Sequence, residues 1–206
     1  MTERLENSLL EYAFEGIDGG GKTSNISFLK EHYQDKNFNV VVLSGLSKTP
    51  FGTAIRKNII HLNSMGIHGM RFLKEDIRRS YASLDGQKDC TDLIFWDRHI
   101  YSMAAANCEG CDLGLIREAN PQVSEPAKVF LLDVPPEVAW EREQKAHKSD
   151  HPLTPQWLVE KYERYKQLAT MEPERFIVID ASRSFDDVSR QLLDIINEDL
   201  RKTGKL

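Results

Sequence analysis

Cysteine and long apolar runs are both scarce in this sequence. Only three cysteines occur among 206 residues, too few for the disulfide framework of a small secreted protein. Cys108 and Cys111 have the spacing C-x-x-C, but a structural zinc site needs a second pair of ligands, so we favour free thiols over a metal or redox site. No apolar run approaches the ~20 residues that cross a bilayer, and residues 1–6 lack the pattern of a signal peptide. We therefore expect a cytoplasmic protein with no membrane partner.

Positive charge is not in excess either. The chain has 27 Lys and Arg against 32 Asp and Glu, which gives a net charge of −5. A nucleic-acid surface needs Lys and Arg in excess on one face, so a nucleic-acid polymer is not the expected partner. A few placed cations can still bind a small anion. With 40% hydrophobic residues over this length, we expect one domain spanning residues 1–206.

What the sequence does contain, near its start, is a pattern that binds phosphate. Gly16, Gly21, Lys22 and Thr23 fit the spacing G-x-x-x-x-G-K-[ST], between a predicted strand and a predicted helix. Glycines let the backbone turn its N–H groups toward an anion, the lysine binds the β- and γ-phosphates, and the threonine hydroxyl binds Mg²⁺. The alternative is a flexible glycine turn, which the order of strand, loop, Lys-Thr and helix disfavours. The residues predicted to contact the nucleotide donor are Gly16, Asp18, Gly19, Gly20, Gly21, Lys22, Thr23 and Ser24.

Strand-like and helix-like segments alternate along the chain. Strands are predicted at 11–17, 38–43, 92–96, 127–133 and 175–180. Helices are predicted at 22–35, 50–61, 70–85, 100–107, 135–146, 154–170 and 184–201. This alternation predicts a parallel sheet covered by helices on both faces. Ligands of such sheets bind beyond the carboxyl ends of the strands, so we expect the chemistry there.

Asp97 and Arg98 directly follow the third predicted strand. An acid beside Mg²⁺ and an arginine beside a second phosphate are what phosphoryl transfer requires. Alone, an Asp-Arg pair after a strand is a weak signal. In a chain that also carries the phosphate-binding pattern, it indicates a second half of the same site.

A strongly charged segment at about 142–152 lies between two predicted helices. A charge run of this kind is most often a solvated helix end. It fits a mobile lid equally well, because phosphoryl transfer gains from excluding water and from cations brought in on closure. The candidate cations are Arg142, Lys145 and Lys148.

Three motifs resemble those of the thymidylate kinases, a family of P-loop nucleoside monophosphate kinases. Residues 14–23 resemble F-E-G-x-D-G-x-G-K-T, residues 97–102 resemble D-R-[YH]-x-x-S, and residues 132–142 resemble L-D-V-P-P-E-x-A-x-x-R. The resemblance extends over nearly the whole chain. It implies a three-layer α/β P-loop NTPase fold with a five-stranded parallel sheet of order 2-3-1-4-5. It also implies a homodimer that converts dTMP to dTDP with ATP and Mg²⁺.

The resemblance further implies roles for individual residues. Asp18 would hold the sugar 3′-hydroxyl of the acceptor, and Arg98 would bind the acceptor's phosphate. Asp97 would support Mg²⁺ through water, and Arg142 would lie near the donor adenine or its phosphates. The implied catalytic residues are Lys22, Asp97, Arg98 and Arg142. The residues implied to serve the metal ion are Thr23 and Asp97, and those implied to line the adenine are Ala181 and Ser182. The implied acceptor site is Asp18, Arg56, Phe72, Arg78, Arg98, Ser102 and Asn107.

The acceptor side departs from the family pattern. Residues 44–49 replace the usual R-E-P-G-G-T, and residues 106–107 stand where Tyr-Gln is usual. We predict that Phe72 stacks on a pyrimidine and that Arg78 or Arg79 reaches its O4 edge. The alternative is that Phe72 belongs to the core and both arginines are solvated. A kinase for a modified pyrimidine or another nucleotide is therefore a second hypothesis.

The phosphate loop also lacks an arginine, which some family members carry there. Gly19 and Gly20 supply backbone N–H groups but no cation for the charge that develops on the transferred group. We therefore predict that Arg142, with Lys145 or Lys148, neutralises the transferring phosphoryl group from the lid. A third hypothesis, a nucleotide-binding module with little turnover, follows from the same missing arginines.

Overall fold

A central five-stranded sheet organises the fold. The structure, a computed structural model, describes residues 9–106, 113–119, 123, 125–146 and 154–206. Its strands are β1 (Leu10–Glu15), β2 (Val40–Ser44), β3 (Leu93–Asp97), β4 (Lys128–Asp133) and β5 (Phe176–Asp180). All pairings are parallel and the order is β2-β3-β1-β4-β5. This confirms the predicted α/β P-loop architecture and strand order.

Helices connect the strands. They are α1 (Lys22–Gln34), α2 (Pro50–Lys57), α3 (Ile59–Ser64), α4 (Ile67–Ala82), α5 (Ile100–Ala106), α6 (Leu113–Ala119), α7 (Pro136–Ala146), α8 (Pro155–Met171) and α9 (Phe185–Lys202). Three of them begin at side chains that accept a hydrogen bond from the first turn: Thr49 before α2, Thr154 before α8 and Ser184 before α9. Pro50 and Pro155 follow two of these caps, at positions that need no N–H donor.

One predicted helix is wrong, and one helix of the structure was not predicted. The single helix predicted at 50–61 is two helices, because Asn58 leaves helical geometry and its side chain donates to the carbonyl of Ala54. Helix α6 was not predicted. Its last carbonyls, of Ile116 and Arg117, accept hydrogen bonds from Lys74 Nζ on α4, a stabilising contact that no local pattern reveals.

The core lies on both faces of the central strands. Tyr12 of β1 stacks on Phe130 of β4, and Phe14 meets Phe95 of β3 edge-on. The hydroxyl of Tyr12 also donates to Asp199 of α9 at 2.9 Å. Aromatic packing therefore fixes β1 between its neighbours, and β1 leads directly into the phosphate loop.

His99 is a buried histidine behind the site. Its ring lies edge-on to Trp96, and within the described chain neither ring nitrogen has a hydrogen-bond partner. Burial lowers the pKa of His99 to about 3, and the charges of Lys74 and Arg175 act in the same direction. The folded protein therefore holds this imidazole neutral through the pH range in which an exposed histidine takes up a proton.

We predict that His99→Phe flattens the pH dependence of stability on the acid side. In the unfolded chain the histidine pKa is about 6.5, so the unfolded state takes up a proton first as the pH falls. Its contribution to the free energy of unfolding is complete above about pH 6.5 and is lost toward pH 3, by at most about 1.4 kcal/mol per pH unit. Denaturant unfolding at about pH 7 and about pH 5 measures this. An unchanged slope in the variant would contradict the assignment.

Candidate active site

The phosphate loop joins β1 to α1. Gly16, Gly19 and Gly21 have φ angles of 133°, 80° and 80°, in the region that favours glycine. A Cβ at Gly19 would lie 2.4 Å from the carbonyl oxygen of Ala139, so only glycine fits there. Gly21 occupies the N-cap of α1 and has no side chain to bond the first N–H groups of the helix. This geometry is suited to binding an anion at the N-terminus of α1, where the donor phosphates are predicted to bind.

Lys22 folds back over this loop. Its Nζ donates to the carbonyl oxygens of Gly16 at 3.0 Å and Ile17 at 2.7 Å. Burial lowers the pKa of Lys22 to about 8, and the neighbouring charge of Arg98 contributes. The ammonium group therefore lies inside the loop, where the predicted phosphates would bind.

Thr23 and Asp97 lie side by side at the carboxyl edge of the sheet. The Thr23 hydroxyl donates to Asp97 Oδ2 at 2.8 Å. Among the described residues, no group of three or more His, Cys, Asp or Glu side chains could hold a metal ion by itself. The two side chains Thr23 and Asp97 are enough for Mg²⁺, because this ion is commonly bound by one or two protein oxygens together with phosphates and water. The donors present therefore fit Mg²⁺.

Arg98 points across the loop toward Asp18. It forms an ion pair with Asp18 Oδ1, and its Nη1 donates to the carbonyl of Gly16 at 3.0 Å. Its φ of 68° is unusual for a residue with a side chain and is typical of strain held at functional sites. Although burial raises the pKa of Asp18, Arg98, Lys161 and Lys22 outweigh burial and hold that pKa below its ordinary value.

Glu15 anchors the wall behind Arg98, a role that sequence reasoning missed. This buried carboxylate accepts hydrogen bonds from the backbone N–H groups of His99 and Ser102, from the Ser102 hydroxyl, and from Tyr165 of α8. Burial raises the pKa of Glu15, and these donors reverse only part of that rise. The hydroxyl of Ser102, predicted to bind substrate, is thus engaged with Glu15 and Tyr165, and its substrate contact stays a prediction.

A second missed residue is Lys161 of α8. Its Nζ lies 3.8 Å from Asp18 Oδ2, and its side chain is buried. Burial, together with the charge of Arg98, lowers its pKa to about 7. A lysine on an amphipathic helix is ordinarily read as solvent-facing, so nothing in the local pattern identified it.

The structure brings the predicted adenine-side residues together. Arg142 of α7 donates through Nη1 to the carbonyls of Ala181 at 2.9 Å and Gly19 at 3.4 Å. Ser182 lies next along the chain, and its N–H and hydroxyl bond Asp180. Arg142 therefore bridges the phosphate loop and the segment after β5. That Arg142 also reaches the transferring phosphoryl group stays a prediction.

The segment after β2 is held by a residue that was not predicted. Asp76 of α4 accepts hydrogen bonds from both the N–H and the hydroxyl of Ser47, each at 2.7 Å. Arg56, a predicted substrate residue, donates to the carbonyl of Leu46 at 2.7 Å. Arg56 therefore supports this segment, and its contact with substrate stays a prediction.

On α4, Phe72 is 47% exposed, so the alternative that placed Phe72 in the core is wrong. Both Arg78 and Arg79 bind the carboxylate of Glu75, and Arg79 also lies over the ring of Phe51 at 4.3 Å. That Arg78 or Arg79 reaches the O4 edge of a pyrimidine stays a prediction.

Some predicted residues lie outside the described residues. They are Asn107, Cys108, Cys111, Lys148 and the rest of the segment 147–152.

The chain matches a known family over most of its length. The sequence profile described as Thymidylate kinase matches residues 14–192. The chain belongs to the thymidylate kinase family. By class, members of the thymidylate kinase family are nucleotide-using phosphotransferases, nucleoside monophosphate kinases. No helix within the described ranges is long and apolar enough to cross a membrane.

Three thymidylate kinases show how far the similarity extends. The chain is 33% identical over 192 residues to the probable thymidylate kinase 1 of Saccharolobus solfataricus, which covers 91% of this chain and 97% of that protein. It is 30% identical over 188 residues to the probable thymidylate kinase of Archaeoglobus fulgidus, with 89% and 93% covered. It is 29% identical over 201 residues to the thymidylate kinase of Pediococcus pentosaceus, with 90% and 96% covered. The similarity therefore extends over about nine tenths of the chain.

Proposed function

We propose that this protein transfers the γ-phosphoryl group of ATP to dTMP, giving ADP and dTDP, with Mg²⁺ as the metal ion. One observation carries the proposal: Arg98, which is paired with Asp18, and Lys22 both donate to the carbonyl of Gly16 in the phosphate loop. Thr23, which follows Lys22 in the chain, and Asp97, which precedes Arg98, share a hydrogen bond. This arrangement supports two adjacent anion sites at the carboxyl edge of the sheet. The names of the related proteins support dTMP as the acceptor.

The donor half binds the triphosphate. The first N–H groups of α1 and the ammonium group of Lys22 meet the β- and γ-phosphates, and Arg142 with the carbonyl of Ala181 borders the adenine. Mg²⁺ bound at Thr23 and Asp97 would neutralise charge on the phosphate oxygens.

The acceptor half orients dTMP. Arg98 binds the acceptor's phosphate, and Asp18 accepts a hydrogen bond from its sugar hydroxyl. An oxygen of that phosphate then attacks the γ-phosphorus in line, so no protein nucleophile is needed. The contacts of Glu15 with Ser102 and Tyr165 hold this half rigid. The site therefore contributes position and charge more than covalent chemistry.

Base preference tests the proposal. We expect kcat/KM, measured by ADP release, to be highest for dTMP among a panel containing dTMP, dUMP, dCMP, dAMP and dGMP, with no release beyond background without acceptor. Turnover of dCMP or a purine monophosphate equal to that of dTMP would contradict the pyrimidine-edge model. ATP binding with no turnover of any acceptor would instead favour the binding module.

The same assay can test whether the ring of Phe72 stacks on the base of dTMP. If the ring stacks on the base, Phe72→Ala raises KM for dTMP by about tenfold or more, the loss expected of one base–aromatic stack. Phe185 of α9 is the matched control, since it is 45% exposed and packs on Phe28, away from the acceptor half. Phe185→Ala should leave KM for dTMP unchanged.

We propose a homodimer in the cytoplasm as well. The family resemblance supports the homodimer, the low cysteine content supports the cytoplasm, and neither statement depends on the site geometry.

A further inference from the structure

Lys161 is a buried lysine that faces the phosphate loop. It is 7% exposed, and its Nζ lies 4.3 Å from the centre of the Trp157 ring on the same helix. Trp157, Lys161 and Tyr165 are four residues apart, so they share one face of α8. Tyr165 on that face contacts Arg98 and Glu15. The face is therefore directed at the catalytic groups.

The N–H groups of Lys161 form no hydrogen bond to a described residue, in contrast to those of the other buried lysines. Lys74 donates to two helix carbonyls, and Lys22 donates to two carbonyls of the phosphate loop. Lys161 Nζ donates no hydrogen bond to a described residue, and 3.8 Å to Asp18 is beyond hydrogen-bond distance. Burying an ammonium group is costly unless its protons are bonded. A bound anion would supply those bonds.

The phosphate loop lacks a side-chain cation, which Lys161 could provide. Gly19 and Gly20 carry no cation, yet charge develops on the transferred group between donor and acceptor. Lys161 stands beside Asp18 and opposite Arg98, at the junction of the two halves.

We propose that the ammonium group of Lys161 binds oxygens of the phosphoryl group in transit, in place of the arginine that the phosphate loop lacks. This inference rests on the proposed function for its substrates. It makes Lys161 a catalytic residue, and it assigns the lid lysines at most a supporting role. The purely structural alternative is that Lys161 only balances the charge of Asp18.

The kinetic test replaces Lys161 in the intact protein. Lys161→Met should lower kcat with ATP and dTMP by about 10²-fold, with ATP affinity changed much less, because the contact forms in the transition state. Lys161→Arg should recover part of that loss, because the cation is kept although its shape differs. Lys166→Met is the matched control on the same helix, where Lys166 pairs with Asp133 at 2.8 Å, and it should leave kcat unchanged.

Two kinetic outcomes would overturn the inference. One is an unchanged kcat in Lys161→Met, and a reduced kcat in Lys145→Ala beside it would assign the role to the lid. The other is that Lys161→Met has no further effect on kcat once Asp18→Asn is present, which would show that Lys161 acts only through Asp18.

A binding measurement separates this inference from the proposed function. The probe is a bisubstrate analogue in which adenosine and thymidine are joined through a polyphosphate chain, titrated calorimetrically. Lys161→Met should weaken its binding by about 10- to 100-fold, the worth of a hydrogen bond to a charged group, and Lys166→Met should not. If the wild type binds the probe with this pattern but does not turn over dTMP, the proposed function fails and the inference stands. Equal binding by Lys161→Met and wild type would overturn the inference alone.

Discussion

Lys22→Ala is expected to abolish phosphoryl transfer while the protein stays folded. The Lys22 ammonium group lies inside the phosphate loop on the carbonyls of Gly16 and Ile17, and it contributes charge there instead of packing. Removing one charged donor from such a site costs about 10²–10³-fold in kcat, and more where the group meets two phosphates. ADP release with ATP and dTMP measures the loss.

A lysine two turns further along α1 provides the control for this substitution. Lys30→Ala removes the same group from the same helix, away from the loop, and should leave kcat near the wild-type value. Thermal unfolding should show both variants folded. Near wild-type turnover in Lys22→Ala would remove the phosphate-loop assignment, and with it the donor half of the site.

Arg98→Ala is expected to damage the acceptor half selectively. Without the guanidinium, the dTMP phosphate is underpaired, so KM for dTMP rises and kcat falls. We expect kcat/KM for dTMP to fall by about 10²–10³-fold. The dissociation constant of ATP, measured by titration, should change much less, since Lys22 and the N-terminus of α1 remain in place.

Arg98→Lys tests whether geometry or charge matters at this position. A lysine keeps the charge but loses the planar fork that binds a phosphate through two N–H groups, so it should restore only part of the activity. The variant also keeps a cation beside Asp18, which limits the loss of stability from an unpaired carboxylate. A loss confined to ATP affinity, with KM for dTMP unchanged, would place Arg98 on the donor side instead.

Local patterns predicted most of the fold and the centre of the site. Apolar runs marked all five strands, and the spacing of Gly16, Gly21, Lys22 and Thr23 predicted a loop between a strand and a helix, which the structure has between β1 and α1. Thr23 and Asp97 were both predicted to serve the metal ion, and their side chains share a hydrogen bond. These features depend on residues that are close together in sequence or lie on one edge of the sheet, so they could be predicted from the sequence.

Contacts between distant segments were not predictable in the same way. Glu15 lies in an apolar strand, and its partner Tyr165 comes 150 residues later. Lys161 has the spacing of an ordinary helix, and only the fold turns it toward Asp18. In α4, the binding of Arg78 and Arg79 to Glu75 depends on side-chain rotamers, which periodicity does not determine.

Transfer of label from ATP tests the central claim most directly. The wild-type protein is incubated with Mg²⁺, dTMP and ATP labelled in its γ-phosphate, and the products are separated by chromatography. We predict that the label appears in dTDP and that none is released as inorganic phosphate beyond the background without protein. Label found only in inorganic phosphate, or remaining in ATP, would contradict the account.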